Sequence, residues 1–186
     1  MSEHRNAADK RCPAPPDSPK TKRAGQSFLK VLVLGLGNIL LSDEGAGIKA
    51  IEELSRWHDV SEAVDIIDGG TMGLELLPYF EGRSHVLIVD AVKTGKPPGT
   101  IVRIDDPPAY FSAKTSPHQI GLSDVMGTAA ILGHLPQHIV LFGIEPKRLS
   151  TNLELSDEVD RNIHRLVGMV VAELKAIGVD VRKKDK

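Results

Sequence analysis

The sequence has almost no cysteine, no long apolar run and no excess of basic residues. Its one cysteine, Cys12, cannot form an internal disulfide, which is typical of proteins from a reducing compartment. No apolar stretch approaches the roughly 20 residues that a membrane helix needs, and the amino terminus lacks the apolar core of a signal peptide. We therefore expect a cytoplasmic protein that does not interact with membranes.

Charge and length narrow the class of protein further. The chain has 23 Lys and Arg residues against 25 Asp and Glu residues, a formal net charge of -2, which argues against a nucleic-acid partner. Its 186 residues suit one domain with a sizeable core. Residues 1–28 are polar and proline-rich, which predicts a disordered leader. Residues 29–181 are predicted to form a single α/β domain, and residues 182–186 a solvated, frayed basic tail.

The first strong signal is an apolar run that ends in glycines. The run that starts at Val31 predicts a strand buried on both faces, as in a parallel sheet. Gly35 and Gly37 permit a sharp turn and the close approach of a ligand. Ser42 and Asp43 predict the cap of a helix that begins near residue 45.

The same alternation of strand and helix continues along the chain. Further buried strands are predicted at 64–67, 85–92 and 138–144, and an edge strand at 100–104. Amphipathic patterns predict helices at about 46–57, 74–80, 116–133 and 156–177. Ser116 and Gln119 fit a capping box at the start of the third helix, which puts His118 in its first turn. The predicted fold is a three-layer α/β/α sandwich with a mostly parallel, twisted sheet.

Three possible metal ligands follow different predicted strands. They are Glu44 after the first strand, Asp90 at the end of the third buried strand, and His118 at the head of a helix. The carboxyl ends of parallel strands meet at one edge of a sheet, so we expect these side chains to converge. One imidazole and two carboxylates suit Zn, Ni, Fe or Mn, with positions left open for water or substrate.

Each candidate also has a structural alternative. Glu44 could complement a helix dipole, and Asp90 could accept backbone hydrogen bonds in a turn. A lone histidine such as His118 is more often structural or exposed, although a first helical turn favours the neutral imidazole that metals bind. Asp68, in Asp-Gly-Gly-Thr, is either an Asx-turn residue or a substrate contact beside the metal.

Several motifs in this order resemble those of one enzyme family. The loop that starts at Gly35 and continues through Asn38, Asp43 and Glu44 is similar to the opening signature of the hydrogenase maturation endopeptidases, which trim the carboxyl terminus of nickel-iron hydrogenase large-subunit precursors. The Asp-Gly-Gly-Thr segment, a strand ending in Asp, Ser-x-His and Gly-Ile-Glu-Pro follow in the same order over residues 30–178.

The resemblance implies a fold, an activity and a site. It implies an α/β/α sandwich and an endopeptidase that acts on a precursor already loaded with nickel. The family's metal-binding Glu, Asp and His correspond to Glu44, Asp90 and His118, and its substrate-processing aspartate to Asp68; we expect these four to carry the catalysis. Nickel is then carried by the substrate, although the same ligands also suit another divalent metal such as zinc.

Two other functions remain open at this point. A nickel-dependent maturation chaperone would bind the same precursor without cutting it. A nucleotide-binding module would use Gly35 and Gly37, but the dinucleotide fingerprint needs glycine where Leu40 stands, and two adjacent carboxylates would repel phosphate. No Gly-x-Ser-x-Gly elbow supports a serine hydrolase. We expect the protein to be a monomer, because no exposed apolar stripe requires a partner.

Overall fold

The computed structural model describes residues 29–105, 107 and 117–185, except for the side chains of residues 117–120. The expected leader, residues 1–28, and the expected cap Ser116 lie outside the described residues. The strands are β1 (Val31–Leu36), β2 (His58–Val60), β3 (Val64–Gly70), β4 (His85–Ala91), β5 (Ile101–Ile104), β6 (His138–Ile144) and β7 (Val181–Lys183). The helices are α1 (Ala46–Trp57), α2 (Leu77–Phe80), α3 (Pro117–Leu132) and α4 (Asp157–Ala176), with 3₁₀ turns at Ser42–Gly45 and Leu74–Leu76.

The main sheet has five strands in the order β3-β1-β4-β6-β5. Strands β3, β1, β4 and β6 are parallel, and β5 pairs antiparallel with β6 at the edge. The edge strand predicted at 100–104 is therefore confirmed. Because the four parallel strands run the same way, their carboxyl ends lie along one edge of the sheet, which we call the carboxyl edge; the opposite one is the amino edge.

Two apolar cores cover the two faces of this sheet. Alternate residues of β1 divide between them, since successive side chains of a strand point to opposite faces. Val31 and Val33 pack in the core that contains α1 and α4, while Leu32 and Leu34 pack in the core that contains α2 and α3. The result is the predicted α/β/α sandwich with a mostly parallel sheet.

The structure differs from the sequence-based prediction at two places. The second buried strand runs two residues beyond Asp68, to Gly70, and the helix after it is short, with Pro78 near its start. The carboxyl-terminal segment expected to be frayed instead forms β7, which pairs antiparallel with β2. The Lys184 N–H also donates to the Trp57 carbonyl oxygen at 2.8 Å. This pairing is non-local, and a short basic segment carries no signal of it.

Candidate functional site

The loop after β1 folds back tightly on its own glycines. Gly37 has φ +124°, and a Cβ there would overlap the Glu44 carbonyl oxygen. A Cβ on Gly47, at the start of α1, would overlap the carbonyl oxygens of Leu36 and Val89. The backbone of Glu44 therefore occupies the space directly beside the Cα of Gly37. These glycines bring the start of α1 against the ends of β1 and β4.

Asp43 is fully buried and joins this loop to the segment that follows β6. Its carboxylate accepts hydrogen bonds from Ser156 N–H at 2.6 Å, Ser156 Oγ at 2.8 Å, and the backbone N–H groups of Lys147 and Arg148, both at 2.8 Å. The prediction that Ser42 and Asp43 cap the helix is wrong, because neither the 3₁₀ turn nor α1 has a side-chain cap hydrogen bond. Burial raises the pKa of Asp43, but the hydrogen bonds from Ser156, Arg148 and Lys147 outweigh it and hold the pKa below its usual value.

Ser42 adds a second connection between the same two loops. It is 1% exposed and has φ 54°, a left-handed conformation that is uncommon outside glycine. Its hydroxyl donates to the Glu154 carbonyl oxygen at 2.7 Å and accepts from Arg148 Nε at 3.0 Å. Its backbone N–H donates to the Asn152 carbonyl oxygen at 2.7 Å. These bonds hold the strained backbone in place.

Glu145 connects a third loop to the same edge. It directly follows β6, is 7% exposed, and accepts hydrogen bonds from the N–H and hydroxyl of Thr94, both at 2.6 Å, and from the Gly95 N–H at 3.3 Å. Burial raises the pKa of Glu145, but the bonds from the 94–96 loop outweigh it and keep the pKa below its usual value. The loops after β1, β4 and β6 are therefore held by two buried carboxylates, Asp43 and Glu145.

The elements that carry the three predicted metal ligands lie at the carboxyl edge. Glu44 is half-buried in the 3₁₀ turn, which contacts β4. Asp90 is fully buried near the end of β4, opposite Gly143 of β6. Asp90 lies two residues from both Ile88 and Val92, which pack in the core that contains α3, so it belongs to the α3 side of the sheet.

His118 lies in the first turn of α3, as predicted, but its side chain is outside the described residues. In the part of the chain that the structure describes, no three His, Cys, Asp or Glu side chains are grouped as a metal site. Because that part lacks the imidazole of His118, the three-ligand site remains a prediction. Two carboxylates and one imidazole are a donor set that fits a divalent transition-metal ion.

Asp68 lies on the other side of the sheet from Asp90. It is exposed, and its Oδ1 accepts the Gly70 N–H at 2.9 Å, the arrangement that the Asx-turn alternative predicts. Together with Ile48, Ile51 and Ile66 it lines an open depression of about 590 Å³ between α1 and β3. Asp68 is thus accessible from the α1 side.

Sequence reasoning missed the roles of Asp43 and Glu145. Both belong to the motifs that carry the family resemblance, but the motifs alone did not separate residues that hold the loops from residues that face a ligand. For Glu145, a carboxylate directly after an apolar strand was the available signal, whereas Asp43 stands seven residues beyond the end of β1.

None of the helices in the described ranges is long and apolar enough to cross a membrane.

Comparisons with known proteins agree with this architecture. A family model described as HycI, hydrogenase maturation protease, matches residues 48–173. The chain is 39% identical over 155 residues to the hydrogenase 2 maturation protease of Escherichia coli K12, covering 82% of this chain and 94% of that protein. It is 40% identical over 158 residues to the hydrogenase expression/formation protein HupD of Rhodobacter capsulatus, covering 83% and 75%.

Solved structures of hydrogenase maturation proteases have a similar fold. The hydrogenase maturating endopeptidase HybD from Escherichia coli matches with a TM-score of 0.81 and 37% identity, over 84% of this chain and 98% of that one. The [NiFe] hydrogenase maturation protease HybD from Thermococcus kodakarensis matches with a TM-score of 0.66 and 28% identity, over 78% and 99%.

Proposed function

The chain belongs to the hydrogenase maturation protease family, whose members are hydrolases acting on peptide bonds, and from this we propose that it removes the carboxyl-terminal extension of a nickel-loaded hydrogenase large-subunit precursor. Nickel in the precursor is the recognition element. Side chains of this protein coordinate that nickel and assist the hydrolysis of one peptide bond.

The observation that carries this proposal is the arrangement of the carboxyl edge. Asp90 is a fully buried carboxylate at the end of a central strand, and the turn that bears Glu44 contacts that strand. The helix that carries His118 in its first turn covers the same side of the sheet. Carboxylate oxygens on neighbouring elements, together with an imidazole, are donors that suit a divalent transition-metal ion, here one carried by the substrate.

The proposed mechanism is metal-assisted hydrolysis. The side chains of Glu44, Asp90 and His118 complete the coordination of the precursor's nickel, which orients the scissile bond at the carboxyl edge. A bound metal ion polarises a carbonyl oxygen or lowers the pKa of a bound water. The water adds to the scissile carbonyl carbon, the C–N bond breaks, and the water's proton passes through a carboxylate of the site to the amine that leaves.

Intact-mass spectrometry of the precursor tests the proposal. The nickel-loaded precursor and its nickel-free form are each incubated with the protein. We expect only the loaded form to lose a short carboxyl-terminal peptide. Loss from both forms would show that nickel is not the recognition element, and loss from neither would favour a chaperone that binds the precursor without cutting it.

Substitution of the ligands tests the assignment of residues. We expect Glu44→Gln and His118→Ala to lower the cleavage rate by at least about a hundredfold, because each removes a group that contacts the metal or moves a proton. Glu62→Gln is the matched control, since Glu62 is an exposed glutamate just before β3, at the amino edge. Full activity of Glu44→Gln or His118→Ala would overturn the assignment.

A further inference from the structure

Three aliphatic side chains are exposed beside the candidate site. Ile39 and Leu40, in the loop after β1, are each 55% exposed, and Leu153, in the loop before α4, is 75% exposed. We call these three residues the apolar rim. Single exposed aliphatic residues are common on protein surfaces, but grouped ones mark interaction sites.

The backbone under the apolar rim is held by hydrogen bonds. The Leu40 N–H donates to Asn38 Oδ1 at 2.9 Å, and the Asn152 N–H donates to the Leu40 carbonyl oxygen at 3.0 Å. Leu41 forms a β-bridge with Asn152, and the carboxylate of Asp43 fixes the same two loops a few residues away. These bonds hold the rim side chains at the surface before any partner binds, which lowers the entropic cost of association.

A depression lies between the two parts of the apolar rim. Ile39 and Leu153 line it together with Ile48 and Leu155, and Lys49 and Glu52 also line it. Its volume is about 280 Å³, several times the roughly 30 Å³ that one water molecule takes up in the liquid. An apolar side chain from another protein fits such a depression, with polar groups close by, which is the pattern of an interface hot spot.

The position of the apolar rim indicates its partner. Ile39 and Leu40 belong to the same loop as Glu44, so a protein that brings a peptide bond to Glu44 faces the rim at the same time. We propose that the apolar rim docks an apolar patch on the folded large-subunit precursor, with one of its side chains in the depression. This inference rests on the proposed function and adds the surface by which the precursor is held. A second copy of this chain is a poorer occupant, because it would contact these three side chains alone, far short of the roughly 800 Å² per partner in a stable interface, whereas the precursor also contacts the candidate site.

A double substitution of the rim tests the proposal. Ile39→Ser/Leu153→Ser is compared with Ile131→Ser/Leu132→Ser, which alters two residues that are 88% and 52% exposed at the end of α3, on the amino edge. We expect the rim variant to raise KM for the nickel-loaded precursor about tenfold or more, with kcat within about twofold of wild type. The control variant should leave both unchanged. Binding of the uncleaved nickel-free precursor, measured by biolayer interferometry, should weaken by a similar factor in the rim variant alone.

The possible results separate the two proposals. Unchanged KM and unchanged binding in the rim variant would overturn the docking surface while leaving the peptidase activity intact. Failure of wild type to cleave would overturn the proposed function, and the binding measurement would still test the rim.

Two other occupants can be recognised. Dimers of wild type that the rim variant lacks, seen by sedimentation, would assign the rim to a second copy. Tighter precursor binding after deletion of residues 1–28, in wild type but not in the rim variant, would assign it to the chain's own leader. Either result would overturn the proposal.

Discussion

The two edges of the main sheet are built by different means. At the carboxyl edge, Asp43 and Glu145 are buried carboxylates that accept bonds mostly from backbone N–H groups of distant loops. At the amino edge, the rings of His85 and His138 stack at 4.7 Å, and the ion pair between Arg83 and Asp65 is partly exposed. We therefore expect the loss of one buried carboxylate at the carboxyl edge to release the loops that it holds, whereas the loss of one side chain at the amino edge should affect only its own partner. Function is expected at the carboxyl edge, where the buried carboxylates fix the backbone.

The largest effect should come from filling the space at Gly47. Gly47→Ala places a methyl group against the carbonyl oxygens of Leu36 and Val89, which belong to two strands and cannot move aside cheaply. We expect a loss of about 3 kcal/mol or more in the free energy of unfolding, measured by denaturant titration followed by circular dichroism.

Gly168→Ala is the control for this substitution. Gly168 is exposed in the middle of α4, with nothing within 4 Å of an added Cβ. Because alanine has the higher helix propensity, this variant should gain about 0.5–1 kcal/mol. A Gly47→Ala variant as stable as wild type would show that the carboxyl edge adapts more readily than its packing indicates.

The next effect concerns the charge of Asp43. Asp43→Asn turns an amide N–H₂ towards groups that are themselves donors, including the backbone N–H groups of Lys147 and Arg148. We expect a loss of about 2–3 kcal/mol in the free energy of unfolding, with reduced cleavage of the precursor, because buried donors lose their acceptor.

Asp65→Asn provides the comparison at the amino edge. The side chain of Asp65 is 52% exposed and pairs with Arg83 on the surface, so its loss should cost less than about 1 kcal/mol. Equal losses in the two variants, measured by the same denaturant titration, would remove the distinction between the edges.

The sequence predicted best what depends on neighbouring residues. Strands β1, β4 and β6 are continuous apolar runs, which buried parallel strands require, so their bounds were nearly correct. Asp43 was misread because its nearest residues favour a helix cap, while its actual donors lie more than 100 positions later. The pairing of β7 with β2 was missed for the same reason, since it joins His58–Val60 to the end of the chain.

Within the candidate site, the sequence placed elements better than side chains. That the loop after β1 and the end of β4 lie at the same edge followed from the parallel order of the strands, while the convergence of the three side chains stays a prediction. That Asp68 and Asp90 belong to opposite sides of the sheet did not follow, because the predicted strand ended at residue 67, before Asp68. Side chains alternate between the two faces only within a strand, so the side of Asp68 could be assigned only once β3 was seen to include it.

The effect of pH should be the smallest, and it begins at the amino edge. Burial lowers the pKa of His85, and repulsion from His138 lowers it further, against an opposing effect of Glu173. The unfolded chain therefore takes up this proton first, and the free energy of unfolding falls as the pH drops below about 6.5. The pKa values of Asp43 and Glu145 are also lowered, so their contribution is present above the ordinary carboxyl pKa of about 4 and is lost only below it.

His138→Gln tests the order of these two steps. Unfolding free energies are measured from pH 8 to pH 3 in wild type and in the variant. The step that begins near pH 6.5 should shrink in the variant, because the neighbouring positive charge is gone, while the step below about pH 4 should be unchanged. A variant with the same upper step as wild type would show that the stacked histidines do not set it.

The bonds from Ser156 to Asp43 join positions 113 residues apart. Closing so long a loop is among the slower and later events in the folding of a domain, because the intervening chain must be ordered first. During synthesis, Asp43 leaves the ribosome long before its partners exist, and a nascent chain that ends before residue 147 has none of the donors that bind the Asp43 carboxylate. The loop of Glu44 is therefore fixed through Asp43 only after the segment from Lys147 to Ser156 has been made.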